Sequence, residues 1–309
     1  MIVYKTTGWL EAIWHFHTGA TARGLLRRVA VVFVYVTAIS IAELRFLDLK
    51  LKYTPSEFFA AMGILLSLLL IFRTNTAYDR FYEGRTAWGT LVNTCRSLAV
   101  ALQAILPPTH RDDRLFFAKM IANFPFALKN HLRETRNMDE LDETDAGEKS
   151  ELNHLEHVPN GLASLIRTRI EQLYRDKIIS DAQLINLNEL VISLTTVNGI
   201  CERIKSTPIP FSYNLFIKIF ITLYVIVLPF SILDEFGYMT IPTVTITSYI
   251  LIGVEMIGEE IEQPFGLDRN DLPLNQLSQM IRVNVHEIMQ IFLPHIDKRA
   301  AKPKWVIVT

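Results

Sequence analysis

Cysteine is nearly absent from this chain. Only Cys95 and Cys201 occur in 309 residues, with no CxxC and no Cys/His spacing. That excludes a disulfide framework and a metal finger, and both read as packing residues. Strand-like alternation is nearly missing, so a β architecture is not expected. There is no phosphate-cradling glycine loop and no nucleophile elbow. His286-Glu287 with His295 misses the His-Glu-x-x-His spacing, and these residues read as ordinary helix positions. Nothing makes a positive case for catalysis, a cofactor or a bound metal. A net charge of −1 leaves no bulk attraction for nucleic acid. A cleavable leader is not expected either, because the first twenty residues mix charge with Trp9, Trp14, His15 and His17 and lack an apolar core.

What the chain has in excess is apolar sequence. Half of the residues are hydrophobic, with a mean hydropathy of +0.23. The excess is concentrated in four uncharged runs, 29–42, 58–72, 219–233 and 236–254. Only the last clearly reaches spanning length. A helix over 58–72 covers about 22 Å, short of the roughly 30 Å hydrocarbon core. The shorter runs are therefore predicted to extend past flanking charges such as Glu43, Glu57 and Asp234. A charge at such depth is costly unless it faces protein or water, which points to an oligomer or an aqueous path. The competing reading is a large soluble protein with buried helices.

The runs pair into two hairpins, the second joined tightly around 234–237. Between them lie about 140 polar, helix-patterned residues, punctuated by Pro107-Pro108, Pro125, Pro159, Pro208 and Pro210. The acidic stretch 139–151, with Gly147, reads as a surface loop. Ser180 or Asp181 is a plausible N-cap for an amphipathic helix over 182–205, with Leu184, Leu187, Val191 and Leu194 on one face. Membrane helices are expected at about 28–44, 55–73, 214–235 and 238–257, with helical cytosolic regions at about 74–211 and 258–309. Lys5, Arg23, Arg27 and Arg28 precede the first span, and the middle section is rich in Lys and Arg. The positive-inside rule thus places both termini and the middle section in the cytoplasm. Arg45, Lys50 and Lys52 on the outer loop run against this trend, and could instead line an entrance that attracts anions.

The second run ends without a proline in a charged, helix-compatible stretch over 73–85, as if one helix left the membrane and continued in water. Within it Ile64, Leu68 and Phe72 recur every fourth residue, drifting by roughly 40° per step. Such a stripe is either packing within one chain or a face that several chains turn toward one axis.

Three stretches carry a resemblance: FRTNTAYDRFYEGRTAW at 72–88, CERIKSTPIPF at 201–211 and EEIEQPFGLDRNDLP at 259–273. Their order and spacing relative to the apolar runs resemble the bestrophin family, in its bacterial branch, over nearly the whole chain. The resemblance implies an all-α, polytopic membrane protein: four membrane helices and a large cytosolic helical region per subunit, assembled as a homopentamer around a central pore. It carries Ile64, Leu68 and Phe72 over to a narrow neck and Ala182 to a lower, cytosolic constriction, anchored by Glu202-Arg203. Arg73, Tyr78, Arg80, Glu83, Glu202 and Arg203 are expected to hold helices and subunits together rather than touch the ion. Asp268 and Asp271 match two carboxylates of the calcium clasp of animal bestrophins. The dense acidic run is missing and Arg269 interrupts it, so only a weak site and no calcium gating are expected. Glu259, Glu260 and Glu262 read as a solvated helix start.

The function these features imply is a passive channel for small monovalent ions in a bacterial inner membrane, in contact with lipid and needing no cofactor. Three uncharged rings do not fix the ion's sign. Arg45, Lys50 and Lys52 lean toward anions such as chloride, and the acids near Glu259 lean toward a cation (sodium) channel. Further alternatives are a membrane-anchored scaffold or signalling protein without conductance, and a secondary transporter. The latter lacks support because the two hairpins are not alike in sequence.

Overall fold

The computed structural model describes residues 2–3, 20–47, 56–142, 152–268, 270–291 and 306–307. Lys50, Lys52, Arg269, His295, residues 143–151 and the aromatic and histidine residues of the first twenty lie outside them. Helix dominates: α1 (Ala20–Ala42), α2 (Ser56–Ile105), α3 (Arg111–Leu132), α4 (Val158–Arg175), α5 (Asp181–Ser206), α6 (Phe211–Phe236), α7 (Thr240–Ile261) and α8 (Leu274–Ile288). A π-turn, Glu43–Leu47, follows α1, and two-residue strands pair Ile2–Val3 with Val306–Ile307 in antiparallel register.

Two compact units are formed. The membrane unit takes the described residues of 20–81 and 208–263. Leu66 and Leu70 of α2 pack with Ile217, Ile221 and Val225 of α6 and Leu251 of α7. Val36 of α1 adds a second cluster with Leu228 and Val244. The turn between α6 and α7 is as tight as expected and is closed by Gly237 at φ +52°, a backbone region that glycine enters without a Cβ clash.

The second unit takes the described residues of 82–207 and 264–291 with the strand pair. Its core interleaves amphipathic faces: Phe117, Ile121 and Phe124 of α3, Leu162, Ile166 and Ile170 of α4, Leu187, Val191 and Leu194 of α5, and Ile281 and Val285 of α8. Ser180 is the N-cap of α5 in a complete capping box with Gln183, which fixes where that helix begins. Both cysteines are buried and unpaired, and burial pushes the Cys201 thiol up to about 12.

Among the described residues, four stretches are long and apolar enough to cross a membrane: Thr21–Arg45, Glu57–Ile105, Asp181–Ser206 and Phe211–Ile261. The last is two helices, α6 and α7. The third is α5, whose buried residues serve the core of the second unit. The chain is a helical polytopic membrane protein with four candidate membrane helices.

The helices run past the apolar runs that signal them. α1 already contains Arg23, Arg27 and Arg28, good helix formers ahead of its apolar run, and α2 carries through 105 as one helix about 75 Å long. Pro125, expected to punctuate, instead lies inside α3. Pro229 likewise sits inside α6. A helix accepts an interior proline at the loss of one hydrogen bond when packing fixes it from outside.

Candidate functional site: an outward apolar stripe and its ion-pair junction

The stripe of α2 faces away from the chain's own packing. Ile64 is 73% exposed, Leu68 47% and Phe72 56%, with Leu65 and Ile71 beside them. Leu66, Leu70, Arg73 and Ala77 on the other side of the helix are buried. Within the membrane unit, then, these three residues are not core.

Directly after Phe72, Arg73 turns inward and is 1% exposed. Its Nε donates to Asn214 Oδ1 at 2.9 Å, and its Nη1 donates to the Glu255 backbone carbonyl at 2.8 Å and lies 3.4 Å from Glu255 Oε1. Its Nη2 stands 3.8 Å from Glu262 Oε2. Glu262 Oε1 in turn accepts the Ile209 backbone N–H at 2.9 Å, and the Glu262 carbonyl accepts from Arg80 Nε at 3.0 Å. Lys218 reaches Glu259 at 2.8 Å and Glu255 at 3.6 Å. A buried arginine so paired ties α2, α6 and α7 together, because removing either sign leaves an uncompensated charge.

This junction corrects one expectation. Glu259, Glu260 and Glu262 do not start a helix. They close α7, with Glu262 as its C-cap. Carboxylates at a C-terminus oppose the helix dipole, and the partners just described offset that cost. Glu260 is also turned in, accepting from Thr21 Oγ1 at 2.8 Å. Glu255 has no sequence signal at all, since it falls one residue beyond the fourth apolar run.

In the second unit the same motifs meet again. Glu83 pairs with Arg203. Gly84 lies against the loop after α7: a Cβ there would sit 3.1 Å from Phe265 ring carbons and 3.2 Å from Pro264. Gly84→Ala is therefore expected to cost about 1–3 kcal/mol by overpacking, visible as a lower Tm of the purified protein. An unchanged Tm would show that the loop yields freely. Arg133 holds the loop from α3, its Nε donating to the Phe265 carbonyl at 3.2 Å and its Nη1 to Asn275 Oδ1 at 3.2 Å. Burial lowers the Arg133 pKa, while Asp271 and Glu140 act to raise it.

The two clasp-equivalent carboxylates are in different situations. Asp271 is buried, and its Oδ2 accepts the Asp268 backbone N–H at 2.7 Å, while the Asp268 side chain is exposed. Asp271 thus closes the loop. His286 is buried with Nε2 in a 3.3 Å hydrogen bond with Asp142 Oδ2.

Ala182 sits exposed in the first turn of α5. Ile185, 62% exposed, Glu189 and Ile192 lie on the same helical side. Ile185 was not anticipated by sequence reasoning. Its signal was there, as a branched apolar residue outside the Leu187–Val191–Leu194 face.

The family model described as "Bacterial/Fungal Bestrophin protein" matches residues 1–287, which contain the stripe, the junction and Ala182. The chain belongs to the bestrophin family. This bestrophin is 38% identical over 234 residues to the voltage-dependent anion channel-forming protein of Synechocystis sp., covering 74% of this chain and 76% of that one. It is 29% identical to the voltage-dependent anion channel-forming protein YneE of Escherichia coli K12, covering 92% and 93%. Among solved structures, a point mutant of a bacterial bestrophin homologue from Klebsiella pneumoniae superposes with a TM-score of 0.80 at 29% identity, over 85% of this chain and 98% of that one. The three motifs of this bestrophin are thereby explained as structure: they build the Arg73 junction in one unit and the Glu83–Arg203 and Gly84 contacts in the other.

Proposed function

We propose that this bestrophin assembles as a homopentamer around a central pore and passes small monovalent ions passively across the bacterial inner membrane, anions in preference to cations. The carrying observation is the outward stripe of Ile64, Leu68 and Phe72, which no packing within the membrane unit consumes. Three stacked apolar rings would oppose ions by dewetting, so a small change of radius would gate conduction. Regions 74–211 and 258–309 and both termini lie in the cytoplasm, following the distribution of Lys and Arg.

Preference for anions has two supports. The relatives named above are anion channel-forming proteins by name. The acids near Glu259 that favoured cations are largely consumed: Glu260 and Glu262 are buried, and Glu259 is paired with Lys218. Reversal potentials of protein reconstituted in planar bilayers test this. They are expected to follow a chloride gradient. Tracking a sodium gradient would make it a cation channel, and no current from a monomer or dimer would leave a scaffold.

The lower ring is assigned to Ala182. An alanine ring is wider than one of branched residues, so weak size selection is expected. Ala182→Phe should reduce current carried by large anions more than current carried by chloride, and equal conductances before and after would remove Ala182 from the path. No calcium activation is expected, because Asp271 is engaged by the Asp268 backbone N–H and lies close to Arg133 in charge. Steep activation in a calcium titration of single-channel currents would overturn this.

A further inference from the structure

His131, near the end of α3, His157, the N-cap of α4, and Glu202 of α5 converge in the second unit. Their ligand atoms lie within 4.8 Å of one another. His131 Nε2 stands 2.8 Å and His157 Nε2 2.5 Å from the same oxygen, Glu202 Oε1, and the two imidazole ring centres lie 4.3 Å apart with the planes tilted by 35°. A fourth group belongs to the cluster. Asn198 lies one helical turn before Glu202, is buried, and places its amide Nδ2 3.5 Å from His157 Nε2 while its Oδ1 has no partner. Its Nδ2 also donates to Asn160 Oδ1 at 3.5 Å; the two ends of an amide are assigned by their surroundings, and turning both amides over carries the unpartnered oxygen to the histidine side and keeps that contact.

Two imidazoles, one carboxylate and a neutral amide oxygen, contributed by three helices, form a donor set suited to a borderline metal ion rather than to calcium or magnesium, which take oxygens alone. We propose that His131, His157 and Glu202, with Asn198 as a fourth oxygen, bind one divalent transition-metal ion of the zinc class in the second unit of each chain.

The geometry needs little change. Bonds of about 2.0–2.1 Å place tetrahedral donors roughly 3.3 Å apart, so each imidazole nitrogen must draw back from Glu202 Oε1 by less than an ångström. Each of the three side chains is about one-third exposed, and a cavity of about 330 Å³, lined by His131, Glu134, Glu156, Pro159 and Lys205 among others, gives an ion access. Lys205 is the adjacent cation and is paired with Glu134 at 2.8 Å. One contact must be given up. The Asn160 backbone N–H donates to His157 Nδ1 at 3.2 Å, whereas an imidazole bound through Nε2 carries its proton on Nδ1. The ion therefore exchanges a long N-cap hydrogen bond for a bond to the metal and clamps α3, α4 and α5 to one another.

The test is binding, read without any ion current, so it stands or falls apart from the channel reading. Purified full-length protein in detergent is stripped with a chelator and titrated with Co²⁺, followed by its visible absorption, then with Zn²⁺ in competition. Saturation at one ion per chain is expected, with Zn²⁺ displacing Co²⁺. Glu202→Gln and His131→Gln should each weaken binding by more than about 100-fold, beyond what loss of an outer-shell partner costs. Glu134→Gln, beside the cluster but outside it, should leave binding unchanged. No saturable Co²⁺ spectrum from folded wild-type protein overturns the site, whether or not the variants fold. Full binding retained in both Glu202→Gln and His131→Gln overturns it equally.

Discussion

Replacing Ile64, Leu68 and Phe72 together by alanine is expected to raise unitary conductance or open probability about tenfold. Each ~1.4 kcal/mol removed from a rate-limiting step is a factor of about ten, so a tenfold gain corresponds to lowering the dewetting barrier of the three rings by about that much. The fold should tolerate the change, because all three residues are outward in the chain and their loss leaves no cavity in its core. That separates the stripe from its neighbours. Leu66 and Leu70, one turn-face away, are in the core with Ile217 and Val225, and truncating either to alanine should cost about 2–5 kcal/mol without a comparable gain in current. Single-channel recording alongside thermal unfolding distinguishes the two faces. Unchanged currents in the triple variant would return the stripe to ordinary packing.

The second large effect is expected at Arg73. Arg73→Met should destabilise the membrane unit by about 3–5 kcal/mol, the cost of stranding a buried charge. Glu255 and Glu262 are only 3% and 5% exposed, so water cannot replace the guanidinium. Arg28 at 3.8 Å and Lys218 at 3.6 Å remain near Glu255, which sets the loss at the lower part of that range. Adding Glu262→Gln should restore part of the stability, since a neutral amide oxygen can still accept the Ile209 N–H while one stranded charge is gone. Arg73→Lys should fall between, keeping the charge but losing the planar fork that reaches Asn214 and Glu255 at once. Tm in detergent reads all three. Equal Tm values for wild type and Arg73→Met would show that the junction is not a stabilising centre.

Much of this architecture was legible because it rests on local pattern. Four uncharged runs, a proline-free exit from the second run and a capped start at Ser180 are properties of short segments, and the helices follow them. Helix ends were less legible. Arginines at 23, 27 and 28 mark a membrane boundary without breaking a helix, so α1 starts well before its apolar run. What the sequence hid are long-range pairings. Glu255 reads as the end of a span and proves to be a partner of Arg73, 182 residues away. Glu262 looks like a solvated helix start, yet the helix before it had not ended. His131, His157 and Glu202 have no motif spacing and meet only because three helices pack. The outward face of α2 was half legible: its period was plain, but a four-residue stripe looks the same whether it covers a core or a pore.

The pore assignment is tested most directly by Leu68→Cys, exposed to a charged thiol reagent during single-channel recording. The native Cys95 and Cys201 are buried and should stay silent, so wild-type current is expected to be unaffected. In the variant, rapid, irreversible loss or rectification of current is expected as the reagent enters the middle ring. Current that is unchanged by the reagent, with modification of Leu68→Cys verified by mass, would contradict it.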